Sequence, residues 1–283
     1  MTIKSKSLVT YSKEICQTYT PMIKNDGSVY VIAEIGGNHE GNFEYAIELC
    51  LDAIKAGADA VKFQIYTGET LVNKKLDPDR VEHFNKFSLS SNQYQELASI
   101  CQKNNVDFIA SIWTEEDIEE FESRMPFFKV GSGDLTAYPI LARIVKTKKP
   151  ILLSTGLASI EEIQSTVDFI HRLDPIYQKK NMLGILQCTA MYPIPDTDAN
   201  LSTITKFKTL FPNALIGYSD HTVGTYAAEI AVALGAQILE LHFTDQKENR
   251  SFRDHQVSFT SPEIVELKKR LQIISDLLGD GDK

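Results

Sequence analysis

The chain has 283 residues, Lys+Arg 29 against Asp+Glu 38 for a formal net charge of −9, and 43% hydrophobic residues. That is apolar material for one barrel-sized core or two ordinary ones, and the acidic balance excludes a sequence-independent nucleic-acid surface or an anionic-membrane binder. The opening MTIKSKSLVTYSKEICQ lacks the apolar core of a signal peptide and no membrane-length apolar run occurs, so a soluble, cytoplasmic protein is expected.

Residues 1–28, with NDG at 25–27 as a turn signal, precede the regular pattern and are expected to form an extension or hairpin capping the domain that follows. From residue 29 onward, short β-branched or aromatic runs alternate with amphipathic stretches. Strand 29–36 (VYVIAEIG) leads into helix YAIELCLDAIKAG. Strand 60–65 (AVKFQI) is followed by a long connection, 66–90, outside the repeat, and then by YQELASICQKN. Strands 107–112 (DFIASI), 127–131 (FFKVG) and 150–155 (PILLST) precede EEDIEEFES, YPILARIVKT and IEEIQSTVDFIHRL. Strands 182–188 (MLGILQC), 214–219 (ALIGYS) and 237–243 (QILELHF) precede LSTITKFKTLF, TYAAEIAVALG and PEIVELKKRLQIISDLL. Eight such units predict an α/β fold, a TIM (β/α)8 barrel over 29–283 as one domain. A doubly wound open sheet is the alternative, but its G-x-G-x-x-G fingerprint is absent.

In such a barrel the site is built where strands end, and every predicted strand ends polar. The first ends in Glu34 and runs into GGNHEG, with Asn38, His39 and Glu40; the second carries Lys62 and Gln64 on one face. The third offers Ser111, the fourth Lys129 followed by GSGD with Ser132 and Asp134, and the fifth Ser154 and Thr155. The sixth ends in Thr189 with Tyr192 beyond, the seventh in Ser219, Asp220 and His221, and the eighth carries Glu240 and His242 at alternate positions. A lysine inside an apolar strand is costly to bury unless an anion or a carboxylate compensates it. Two of them, Lys62 and Lys129, with small hydroxyls and glycine-rich turns, are the ingredients of a phosphate site.

His221 and His242 lie one strand-helix-strand step apart, hence at matching levels on neighbouring strands. A lone histidine is ordinarily a rim or core residue. A matched pair in oxygen-rich surroundings suits a divalent metal, Mn²⁺ or Mg²⁺, with zinc left open by ligand type. The four cysteines form no C-x-x-C pair and read as buried small hydrophobes.

The ordered motifs AEIGGNHEG (33–41), AVKFQ (60–64), FKVGSGD (128–134), LLSTG (152–156), QCTAMYP (187–193), GYSDHT (217–222) and LELHFT (239–244) resemble the sialic acid synthase family over about residues 29–278. Members condense phosphoenolpyruvate with N-acetylmannosamine or a related N-acyl amino sugar to make a nonulosonic acid. The resemblance implies that Lys62, Ser111, Lys129, Ser132, Ser154 and Ser219 hold phosphoenolpyruvate and that His221 and His242 bind the metal. It also places Glu34, Gln64, Tyr192 and Asp254, the last in FRDHQVS, against the amino sugar, with Glu34, Lys129 and Asp134 as catalytic groups. Ser111 stands where the family often has threonine and Asp134 where some members have glutamate. Ala190 stands where many have asparagine, which removes an amide contact.

Members usually continue into a small antifreeze-like domain that reaches across a homodimer and lends an arginine to the partner's sugar site. The chain stops at Lys283, so that domain is expected to be lacking, and a homodimer is expected. Among substrates, the unphosphorylated amino sugars, N-acetylmannosamine or a diacetamido trideoxyhexose leading to legionaminic or pseudaminic acid, rank ahead of a 6-phosphate, for which Arg250 and Arg253 are the candidate partners. A barrel that binds these compounds without catalysis is the reading from a different class.

Overall fold

In a computed structural model, which describes Met22 and residues 28–279, the eight apolar runs form parallel strands: β1 (Tyr30–Glu34), β2 (Ala60–Ile65), β3 (Asp107–Ile112), β4 (Phe128–Val130), β5 (Ile151–Ser154), β6 (Leu183–Cys188), β7 (Leu215–Asp220) and β8 (Ile238–His242). They pair in chain order and β8 returns to β1, closing a barrel. Each β-strand alternates its side chains between two buried environments, so the runs read as almost continuously apolar.

One set, including Val31, Ala33, Val61, Phe63, Ile185 and Leu239, packs outward against the helices. The other set fills the barrel's lower interior: Ile32, Ala60, Ile109, Phe127, Leu152, Leu186, Leu215 and Ile238, with Met22 packed among them. Room there is tight, since a Cβ on Gly184 would fall 2.5 Å from Leu152 Cδ1. One step up each strand the inward positions turn polar, so an apolar floor lies beneath a polar mouth.

The helices take the places their patterns predicted, and several carry side-chain caps, as from Asn42, Thr114 and Ser159. Ser159 and Glu162, for instance, form a capping box on Ile160–Leu173. The 66–90 connection differs from expectation, because it holds helices Gly68–Leu71 and Pro78–Phe87. The second starts at an Asp77 cap with proline in its first turn and buries only Val81 and Phe87. An amphipathic stripe so thin leaves almost no periodic signal. Apart from Met22 and Ser28, the expected N-terminal hairpin lies outside the described residues. Among those residues no helix is long and apolar enough to cross a membrane.

Candidate active site

Strand register brings the polar strand ends to one level. Glu34 pairs with Lys62 and with His242, Gln64 with Ser111, Ser111 with Lys129, and Ser219 with Glu240. Their side chains line a cavity of about 190 Å³ at the carboxyl end of the barrel. Lys62 Nζ lies 2.7 Å from Glu34 Oε2, and Gln64 Nε2 donates to Glu34 Oε1 at 2.7 Å. Lys129 Nζ lies 3.5 Å from Glu240 Oε1, which also accepts from Ser219 Oγ at 3.1 Å. Two buried ammonium groups thus face two buried carboxylates.

The titration behaviour follows from that crowding. Burial would lower the Lys62 pKa, but Glu240 and Glu34 more than offset it and raise it. Lys129 is lowered, by burial first and by the neighbouring Lys62 charge, against the pull of Glu240. Burial would raise Glu240, yet Lys129, Lys62 and His242 hold it down to about 2. Lys129 is therefore the less tightly compensated cation of the two, and an arriving anion would restore its balance.

Polar atoms here remain unmatched. Ser154 Oγ, Glu240 Oε2 and His242 Nδ1 are buried with no hydrogen-bond partner among the described residues. Each such atom costs on the order of 1–3 kcal/mol unless a ligand or water serves it, and their convergence on one cavity marks a binding site. Ser132 Oγ accepts from Gly156 N at 2.9 Å, which holds the two glycine-rich turns together over the same space.

His221 and His242 face each other with ring centroids 5.2 Å apart, and Tyr192 packs at 4.0 Å and 5.6 Å from them. His221 Nδ1 lies 2.8 Å from the Thr189 carbonyl oxygen and so must donate to it, leaving Nε2 as a free lone pair. Burial, helped by His242, lowers the His221 pKa to about 3, so this imidazole is neutral at ordinary pH. Asp254 Oδ2 sits 3.7 Å from His242 Nδ1.

Asp254 comes from the long segment after β8, which is braced across the mouth by the GGNHEG turn. Glu40 Oε1 accepts from Ser251 N and Oγ at 2.9 Å and from Phe252 N at 3.1 Å. Asn38 Nδ2 donates to Phe243 O and Ser258 Oγ. A Cβ on Gly37 would lie 2.5 Å from the Phe252 ring, and one on Gly36, at φ +52, would lie 2.9 Å from Glu34 Oε1. Glycine at both positions lets the turn pass between the carboxylate and the loop.

His39 is thus a structural residue. It is 1% exposed, accepts from Gly41 N at 3.1 Å, and burial lowers its pKa from 6.5 to about 4. A depressed histidine stabilises the fold fully above pH 6.5, and that contribution falls away as pH drops toward 4. Urea denaturation across this window should show His39→Gln with a shallower loss than the parent, by up to about 1.4 kcal/mol per pH unit. Parallel slopes in parent and variant would contradict the assignment.

Of the residues expected from sequence, Glu34, Lys62, Gln64, Ser111, Lys129 and Ser132 line the cavity from one side, and Ser154, Tyr192, Ser219, His221 and His242 from the other. Asp254 reaches its edge through His242. Asp134 stands apart from the lining: its Oδ2 lies over Gly131, where a Cβ would be 3.5 Å away, and burial raises its pKa while Trp113 donates to it. Glu240, singled out in the sequence only as His242's neighbour on one face, is central to the site. The signal for it was available, because two inward lysines call for two carboxylates and Glu34 is only one. A roomier hollow of about 530 Å³ at the opposite face, near Asp107 and Arg124, gathers no comparable set of buried charges.

The NeuB family model matches residues 49–283. The N-acetylneuraminate-9-phosphate synthase of Mus musculus is 35% identical over 266 residues, 90% of this chain and 72% of that one. The N,N'-diacetyllegionaminic acid synthase of Campylobacter jejuni is 33% identical over 89% of this chain and 78% of its own length. Among solved structures, the N-acetylneuraminic acid synthetase of Leptospira borgpetersenii, in complex with citrate, superposes with a TM-score of 0.84 at 26% identity, covering 93% of this chain and 92% of that one.

Proposed function

The chain belongs to the NeuB family of nonulosonic acid synthases, and from that premise we propose that it joins phosphoenolpyruvate to the aldehyde carbon of an N-acyl amino sugar. The observation that carries this reading is the buried, unmatched polar set of Ser154, Glu240 and His242 beside two cations in one cavity. Lys62 and Lys129, with the Ser111, Ser132, Ser154 and Ser219 hydroxyls, hold the phosphate and carboxylate of phosphoenolpyruvate at the base of the polar mouth. Glu34, Gln64, Tyr192 and Asp254 border the space above, where the sugar lies.

In the reaction, carbon 3 of phosphoenolpyruvate forms the new bond to the aldehyde carbon, whose carbonyl electrons move to its oxygen. Positive charge developing at carbon 2 is taken by water, which loses a proton. The tetrahedral species then collapses to the keto acid as phosphate leaves with its C–O bond electrons. Lysine ammonium groups fixed before the reaction stabilise the departing phosphate without reorganising.

Protons need a carboxylate. Both Glu34 oxygens are engaged, by Gln64 and Lys62, so its role is to orient that pair. Asp134, which turns aside from the cavity lining, exchanges protons with the site only through an intervening water, and burial raises its pKa in keeping with that part. The histidines fit a divalent cation such as Mn²⁺ or Mg²⁺: His221 presents a free Nε2, His242 has no hydrogen-bond partner at Nδ1, and no third acidic, cysteine or histidine ligand converges among the described residues. Such a cation, completed by water and substrate, would supply Lewis-acid polarisation of the sugar carbonyl. Purified protein should release phosphate from phosphoenolpyruvate only when an N-acyl amino sugar and Mn²⁺ or Mg²⁺ are both present. Absence of release across a panel of such sugars would leave a binding protein in place of a synthase.

A further inference from the structure

FRDHQVS carries a second buried polar residue beside Asp254, one that does not line the cavity. His255 sits in the 3-10 turn Arg253–Val257 and is 1% exposed. Its Nδ1 lies 2.7 Å from Thr244 Oγ1, just past the end of β8. Its Nε2, buried with no hydrogen-bond partner among the described residues, faces Glu40 Oε1 at 3.6 Å. Burial lowers its pKa against the pull of Glu40, so the ring is neutral at ordinary pH.

What holds the Asp254 carboxylate in place is otherwise slight. Oδ1 accepts from Arg253 Nε at 3.2 Å, but that arginine side chain is 72% exposed and such pairs fix little. Oδ2 stays 3.7 Å from His242 Nδ1, beyond hydrogen-bond reach. The turn's own backbone bonds are long, 3.4 Å from His255 N to Phe252 O and 3.3 Å from Ser258 N to His255 O. Two side chains tie the turn to the barrel. Ser258 Oγ donates to the Asp254 carbonyl at 2.7 Å and accepts from Asn38 Nδ2 at 2.9 Å. The imidazole, one residue on from Asp254, meets Thr244, whose N donates to Phe259 O at 2.9 Å and whose hydroxyl donates to Gln246 O at 2.9 Å. Thr244 is thus itself fixed, and His255 carries the rigidity of β8 into the turn.

Resting on the proposed synthase reading, in which Asp254 borders the amino sugar, we infer that His255 is a positioning residue for that carboxylate. Pinned to Thr244, it sets the turn so that Asp254 meets the sugar at the edge of the cavity. Phosphoenolpyruvate lies at the base of the mouth among strand residues, so its binding does not depend on this imidazole.

The probe is the N-acyl amino sugar, N-acetylmannosamine first, that the parent turns over fastest. His255→Ala is expected to raise its KM by about 10-fold with little change in kcat, as when one hydrogen bond to a charged group is misaligned. Affinity for phosphoenolpyruvate, read by calorimetry without the sugar, should stay at the parent's value, which a general loosening of the fold would not allow. His255→Asn places a neutral amide where Nδ1 stands and should recover most of the loss. Thr244→Val, nearly isosteric, should reproduce the alanine effect, and the two substitutions together should cost no more than either alone. An unchanged sugar KM in folded His255→Ala protein, a loss of phosphoenolpyruvate affinity in step with it, no recovery in His255→Asn, or strict additivity with Thr244→Val overturns the inference and leaves the synthase reading intact. Failure of the parent to release phosphate with any amino sugar removes the synthase reading, and this inference with it.

Discussion

Replacing Lys129 by alanine is expected to lower kcat/KM by about 10²-fold or more while the protein stays folded. Lys129 is 4% exposed in the mouth, and one preorganised donor of this kind is worth roughly 3 kcal/mol in the transition state. Its loss acts twice. The departing phosphate loses a cation, and Glu240, 3.5 Å away, loses the largest of the charges that hold it ionised. A carboxylate at that position would then oppose phosphoenolpyruvate or take up a proton. Lys129→Arg should not restore full activity, because the larger planar group needs room that the paired Lys62–Glu34 and Glu240 side chains occupy. Steady-state phosphate release, with circular dichroism as the folding check, measures both. A folded Lys129→Ala protein with near-normal kcat/KM would defeat the assignment.

The barrel was legible because parallel strands buried on both sides must be apolar runs, and the residues that broke those runs were themselves the site. Lys62 and Lys129 stand out in AVKFQI and FFKVG because nothing else in a strand tolerates an ammonium group without a compensating charge. What the pattern could not supply was pairing across strands. Lys129 meets Glu240 through the closed barrel, four strands away in chain order, and only closure reveals that contact. Asp134 shows the converse: two residues on from Ser132, it turns aside over Gly131 within a single 3-10 turn while Ser132 lines the cavity. Sequence proximity fixes neither direction. The Pro78–Phe87 helix escaped for a simpler reason, since it buries only two residues, Phe87 against Phe252 among them, and shows no stripe.

His221→Ala is expected to lose both the bound divalent ion and turnover, and His242→Ala likewise. The Thr189 carbonyl fixes the His221 tautomer, Tyr192 holds the ring flat at 4.0 Å, and burial keeps it neutral, so its free nitrogen is presented as a ligand at no further cost. On His242, Asp254 Oδ2 stays 3.7 Å from Nδ1, beyond hydrogen-bond reach, so that nitrogen is left open as well. With only two protein ligands converging among the described residues, affinity should be modest, so dialysis against a chelator should strip the ion and Mn²⁺ or Mg²⁺ should restore activity. Metal analysis of parent and variants, run beside the phosphate-release assay, separates a metal ligand from a residue that merely packs. An imidazole that only supports Tyr192 would leave metal content unchanged when removed. A metal-free His221→Ala protein that still turns over would show that the paired histidines serve the fold and that the carbonyl is polarised by the lysines alone.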